Sequence, residues 1–232
     1  MQFFIIVLII DFVLFLFRLY HVANDDYVLI KKNKTLEDVF NVAFITALIA
    51  LLISRFFHVF LNPQPVFLNP LGFLLFPYFP GLSLTGGVIG GSIFLLFYLR
   101  QNKFPVGRVF DFFTIAFLFA LPPGLVGYIL LSSSYTLGLF VKLAIYLVMV
   151  VLTSFYLYPR ASALEIKEGS LSLLFLMFFS LVALLSYSID NPGLRSFMQN
   201  KENFILLGML LLSIVLIFKQ EFLGRVSLGN GK

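Results

Sequence analysis

Residues 2–20 carry only two charges, Asp11 and Arg18, in an otherwise apolar and aromatic run, and stretches of the same kind recur along the chain. A hydrocarbon core about 30 Å thick takes about 20 apolar residues in a helix. Inside it every backbone N–H and C=O must find its partner within the protein. Repeated apolar runs of that length therefore predict helical spans. Composition supports this, since hydrophobic residues make up 60% of the chain and charged ones 12%, with a mean hydropathy of +1.02. So few charges cannot cover a soluble core of this size. The sequence predicts an all-α polytopic membrane protein whose 232 residues form a single membrane domain.

Seven spans are predicted, over residues 2–20, 39–61, 84–99, 109–131, 136–157, 171–189 and 204–218. The first lacks the basic leading region and small-residue cleavage site of a secretory peptide and reads as a retained helix. Basic residues fall in alternate connections: Arg18, Lys31, Lys32 and Lys34; then Arg100, Lys103 and Arg108; then Arg160 and Lys167; finally Lys219, Arg225 and Lys232. The connections between them are uncharged (a proline-rich stretch with Pro63, Pro65, Pro70, Pro77 and Pro80, and the SSSY at 132–135) or mixed, with Arg195 and Lys201 against Asp190 and Glu202. The positive-inside rule puts the N-terminus outside and the C-terminus in the cytoplasm. The net charge of +5 is explained by this topology and predicts no nucleic-acid partner. The aromatic stretch 66–79 reads as an external interfacial segment, and 204–218 is short for a crossing.

There is no cysteine, and the two histidines have no metal-ligand spacing, so no disulfide, thiolate nucleophile, metal or cofactor is expected. Ionisable groups inside spans are costly and mark candidate sites. Four fall there: Asp11, Arg55, His58 and Lys142. Arg55 and His58 are one turn apart on one face of the second helix, and Lys142 lies at a similar depth in the fifth. Two cations and an imidazole suit an anionic headgroup such as a lipid phosphate. The alternative is that Arg55 and Lys142 only snorkel to external headgroups and that His58 is a packing residue. Asp11, near mid-span, is expected to pair inside the bundle or stay protonated. For Asp111, one turn after Arg108, a local ion pair is expected.

Gly86, Gly87, Gly90 and Gly91 form small-xxx-small pairs that let helices approach closely. Because they open a helix, their amides are also candidate ligands for phosphate or oxyanion. Pro122, Pro123, Gly124 and Gly127 are expected to interrupt the fourth helix on the same side of the membrane, giving one shared cavity with the first cluster.

These motifs resemble the prolipoprotein diacylglyceryl transferases of bacterial membranes. Thr85-Gly-Gly-Val-Ile-Gly90, a basic turn, Asp111-Phe112 and Gly124-Leu-Val-Gly127 are similar to that family's HGGLIG, basic turn, DF and GRxGNF. The segment 35–60 is similar to its second helix, with an arginine where Arg55 stands, and 168–176 is similar to its GxxSGLFL. The resemblance implies the family's reaction in the bacterial cytoplasmic membrane, the transfer of diacylglycerol from phosphatidylglycerol to the lipobox cysteine of a preprolipoprotein. Anionic phospholipid and a preprolipoprotein are the implied partners. Three polar positions of the pattern differ: its histidine is Thr85, its arginine is Leu125 and its asparagine is Tyr128. The external segment that follows in the family is absent. A threonine cannot act as a base near neutral pH, and a leucine cannot bind phosphate. Two functions are therefore expected to compete. One is a divergent transferase with His58 as base and Arg55, Lys142, Thr85, Gly86, Gly87, Gly124 and Gly127 around lipid and phosphate. The other is a non-catalytic phospholipid-binding or partner-binding protein on the same fold. A small transporter is a third reading, resting only on broken helices and buried charge.

Overall fold

The computed structural model describes residues 2–24, 26–69, 73, 81–132 and 135–220. Pro70, Pro77 and Pro80, most of the aromatic stretch 66–79, Ser133, Ser134, Arg225 and Lys232 lie outside the described residues. Seven helices are long and apolar enough to cross a membrane, and no strand occurs among the described residues. They are α1 (Gln2–Ala23), α2 (Leu36–Leu61), α3 (Leu84–Gln101), α4 (Val106–Ser132), α5 (Leu137–Ser162), α6 (Ser170–Asp190) and α7 (Lys201–Phe218). The chain divides into two compact units, residues 1–106 and 107–232.

In the first unit, α1 exposes Phe3, Ile6, Ile10, Val13 and Phe17 and buries Leu19, Val22 and Ala23 near its end. Asp11 finds no hydrogen-bond partner for Oδ1 among the described residues. A short helix, Tyr27–Lys31, follows, capped by Asp26, whose carboxylate accepts from the Val28 and Leu29 amides at 3.1 and 3.2 Å. α2 starts three residues ahead of its apolar run because Thr35 and Asp38 form a capping box. Thr35 Oγ1 accepts from the Asp38 amide at 3.2 Å, and Asp38 Oδ2 accepts from the Thr35 amide at 2.9 Å.

α3 packs on α2 through its glycines. A Cβ on Gly86 would lie 2.4 Å from Phe57 Cβ, and one on Gly90 would lie 2.4 Å from Ile53 Cγ2. One on Gly91 would meet Ala50 Cβ at 3.2 Å. Backbones this close gain dispersion contact, which is what drives helix association in lipid.

In the second unit, α4 runs unbroken through Pro122 and Pro123, so the expected interruption does not occur. The prolines remove two backbone donors, yet the residues around them remain helical. α5 contains a π turn, Thr153–Leu157, in which the Tyr158 amide reaches back to the Thr153 carbonyl. Pro159 follows at once, and its ring would clash with the carbonyl four residues back, so the wider turn accommodates it. α5 and α6 are joined at one end by Asp190. Its carboxylate accepts from Thr136 Oγ1 and the Gly138 amide, both at 2.8 Å, capping α5 from the neighbouring helix. A Cβ on Gly138 would lie 2.3 Å from the Ser186 carbonyl oxygen, so only glycine permits this approach. α7 begins at Lys201, three residues earlier than its apolar run suggests, because Asn200 accepts from the Glu202 amide. The resulting 18 residues suffice for a crossing.

Candidate functional site

The first unit gathers most of the candidate residues where α2 meets the start of α3. Ser54 and Ser83 are bonded twice: Ser54 Oγ donates to the Ser83 carbonyl at 2.7 Å, and the Ser83 amide donates to the Ser54 carbonyl at 3.1 Å. Ser83 is also the N-cap of α3, its Oγ accepting from the Gly86 amide at 3.0 Å. The Gly87 amide donates to the Ser83 carbonyl at 2.9 Å. Both glycine amides considered as headgroup ligands thus make bonds that start the helix. Thr85 is buried one residue before them.

One and four residues after Ser54 come Arg55 and His58, and the structure brings this pair to one place. Arg55 is 2% exposed. Its Nε donates to the Phe73 carbonyl at 3.0 Å, and its Nη1 donates to the Gly81 carbonyl at 2.8 Å. Its Cζ lies 4.7 Å from the Phe67 ring centroid. The guanidinium fork therefore holds three points of the connection between α2 and α3. His58 faces the same connection. Its ring meets Phe67 edge-on at 6.2 Å between centroids, and it lies against Gly81, where an added Cβ would be 2.1 Å from Nε2. With φ at +148°, Gly81 is required both by its backbone and by the imidazole against it.

Gly124, Gly127 and Lys142 belong to the second unit. Gly127 is buried and Gly124 half-buried, in the closing turns of α4. Lys142 is half-buried on α5, and the charge acting on it is that of Glu202 in the first turn of α7.

Asp111, for which a local ion pair was expected, has a longer reach. Its Oδ2 accepts from the Gly169 amide at 2.7 Å. Its Oδ1 accepts from the Ser172 amide at 3.0 Å and from Ser172 Oγ at 2.8 Å. It thus caps α6 from α4, while Arg108, one turn before it, donates to the Ala161 carbonyl at 2.7 Å and holds the end of α5. Gly107 allows this, since a Cβ there would lie 2.7 Å from the Glu168 backbone. Two segments singled out separately in the sequence, around Asp111 and around 168–176, are therefore one structural clasp. Gln220 joins it, donating to the Glu168 carbonyl at 2.7 Å while its own carbonyl accepts from Lys167 Nζ.

The family model described as prolipoprotein diacylglyceryl transferase matches residues 1–130, 130 of the 232 residues. The chain belongs to the prolipoprotein diacylglyceryl transferase family. No curated protein and no solved structure matches it significantly. The family match takes in the whole Arg55, His58 and Gly81–Gly91 assembly and ends within α4. Lys142 and the 168–176 segment fall beyond it. Of the three replaced positions, all inside the match, Thr85 and Leu125 are buried and Tyr128 is half-exposed. Sequence reasoning missed the Ser54–Ser83 pair and the loop-holding bonds of Arg55, because both join residues far apart in the chain. The one usable signal was the serine at each position.

Proposed function

We propose that this chain is a divergent diacylglyceryl transferase that moves diacylglycerol from phosphatidylglycerol to a lipobox cysteine, with His58 as the base. The observation that carries the reading is the seat of His58. Its imidazole lies against Gly81, four residues ahead of Thr85, so α2 holds a titratable group beside the segment that leads into the glycine motif. A neutral imidazole is a competent base near neutral pH. In the proposed step the cysteine thiol gives its proton to His58 and the sulfur bonds to the glyceryl carbon. The carbon–oxygen bond to phosphate breaks, and glycerol phosphate leaves with the electron pair. His58 then returns the proton to the departing phosphate.

Arg55 serves this step by positioning, since its bonds to Phe73 and Gly81 fix the segment against which His58 rests, and its charge favours an anion nearby. Thr85, Gly86 and Gly87 shape the floor, with the glycines giving the approach of α3 to α2. The loop charges orient the α2–α3 connection outward, in a bacterial cytoplasmic membrane, where a preprolipoprotein would present its cysteine.

His58→Ala is expected to abolish transfer to a lipobox peptide while leaving bound phospholipid in place. Transfer at the unaltered rate would eliminate His58 as the base.

A second reading has one observation in its favour: Arg55 and the Gly86 and Gly87 amides already make bonds within the fold. On that reading the chain is a phospholipid-binding member of the family without transfer activity. It predicts retained phosphatidylglycerol and no labelled peptide under any condition.

A further inference from the structure

The backbone of α2 fixes where the His58 side chain starts but not how its ring is turned, because the last torsion of a histidine is broad and roughly two-fold. A general base has to face the proton it takes, so its ring must be held. Gly81 lies against one part of the imidazole. The Phe67 ring meets it at 6.2 Å between centroids and 74° between planes. Phe67 is buried, and a short local device delivers it. Pro65 opens a 3₁₀ turn, Pro65–Leu68, in which the Phe67 amide donates to the Gln64 carbonyl at 3.0 Å. The same ring carries the Arg55 guanidinium, with Cζ 4.7 Å from its centroid. A cation over an aromatic face is drawn to the ring, more strongly where water is excluded. A perpendicular ring pair adds an attraction of its own. Arg55 is in turn fixed by its bonds to the Phe73 and Gly81 carbonyls. One aromatic side chain therefore meets both the fixed guanidinium and the imidazole one turn further along α2.

We propose that Phe67 is a positioning residue for His58: clamped by Arg55, its ring sets the orientation in which the imidazole takes the thiol proton. The inference rests on His58 being the base and deepens that reading, since it gives Arg55 a route to the base through an aromatic ring. Phe67 itself touches no reacting atom. It exchanges no proton and carries no charge, so its effect is confined to geometry, where misplacing a group by about 1 Å costs up to about a hundredfold in rate. Turnover falls while KM stays, because a group that acts only on the reacting atoms stabilises the transition state and not the bound lipid.

The experiment uses the full chain in detergent. It compares Phe67→Leu, which removes the ring and keeps an apolar side chain, with Phe67→Tyr, which keeps the ring. The first readout is independent of transfer. His21 and His58 are the two histidines of the chain, so selective labelling gives two imidazole signals by NMR, with His21, on α1, as the control for folding. The parent chain and Phe67→Tyr are expected to show a nuclear Overhauser contact from the His58 ring to the Gly81 α-protons. Phe67→Leu is expected to lose it while the His21 signal stays in place. The second readout is transfer from phosphatidylglycerol to a lipobox peptide. Phe67→Leu is expected to lower kcat about tenfold with KM within about twofold of the parent, and Phe67→Tyr to keep kcat within about threefold. An unchanged contact between His58 and Gly81 in Phe67→Leu overturns the proposal whether or not the chain transfers lipid. So does a kcat that the leucine and tyrosine variants share. Where Phe67→Leu fails to fold, the absence of an Overhauser contact between the Phe67 and His58 rings in the parent chain overturns it. A parent chain that transfers nothing sinks the base reading instead, and the NMR comparison then still decides whether Phe67 orients the imidazole.

Discussion

Asp111→Ala removes the acceptor for two amides in the first turn of α6, those of Gly169 and Ser172. Gly169 is the N-cap residue of α6, has a φ of +90° and has no side chain of its own to cap with, so Asp111 supplies the cap from α4. Leaving a buried amide without an acceptor costs about 1–3 kcal/mol, so two cost about 2–6 kcal/mol. The lost attraction between a carboxylate and the positive end of α6 adds up to about 2 kcal/mol. The Ser172 hydroxyl can turn back to its own helix and adds little. A loss of about 4 kcal/mol is therefore expected for Asp111→Ala. Asp111→Asn keeps an acceptor for Ser172 but turns an N–H₂ toward Gly169, so about half that loss is expected. The assay is reversible unfolding in mixed detergent micelles, with hydrogen exchange at the first turn of α6 as the local readout. A change under about 1 kcal/mol for the alanine variant, or an asparagine variant as stable as the parent, would refute the cap reasoning.

The α2–α3 contact gives a sharp contrast. Gly90→Ala places a Cβ 2.4 Å from Ile53 and should cost about 1–3 kcal/mol, whereas Gly87→Ala, with 3.5 Å to Ser54, should stay within about 0.5 kcal/mol of the parent in the same unfolding assay. Gly138→Ala drives a Cβ to 2.3 Å from the Ser186 carbonyl. It should part α5 from Asp190 and lower the melting temperature, and an unchanged melting temperature would contradict that packing. Arg55→Lys cannot reproduce the fork to Phe73 and Gly81. Faster hydrogen exchange at Gly81 and Ser83 is expected, and parent-like protection would show that those bonds do not hold the connection.

The seven crossings were legible in the sequence because lipid imposes both length and hydropathy on a span. Their ends were less so. α2 and α7 extend past their apolar runs through Thr35, Asp38 and Asn200, polar residues that hydropathy counts against a helix and capping counts for it. Pro122 and Pro123 looked like a break because local propensity disfavours them, yet α4 continues through both. The pairing of Arg55 with His58 followed from helical spacing. What Arg55 holds did not, since Phe73 and Gly81 are 18 and 26 residues away. The same limit hid Asp111, whose partners lie 58 and 61 residues on. The glycine motif was read for both packing and anion binding, and only coordinates could show that its first two amides are bonded to Ser83.

The most direct test of the central claim is a transfer assay on the purified full chain, with radiolabelled phosphatidylglycerol and a peptide carrying a lipobox cysteine. The account predicts label on the cysteine sulfur with the parent chain, and none with His58→Ala at equal protein and equal bound lipid. An unlabelled peptide from the parent chain, in conditions where an intact family enzyme labels it, would contradict the transferase reading and leave a phospholipid-binding protein on the same fold.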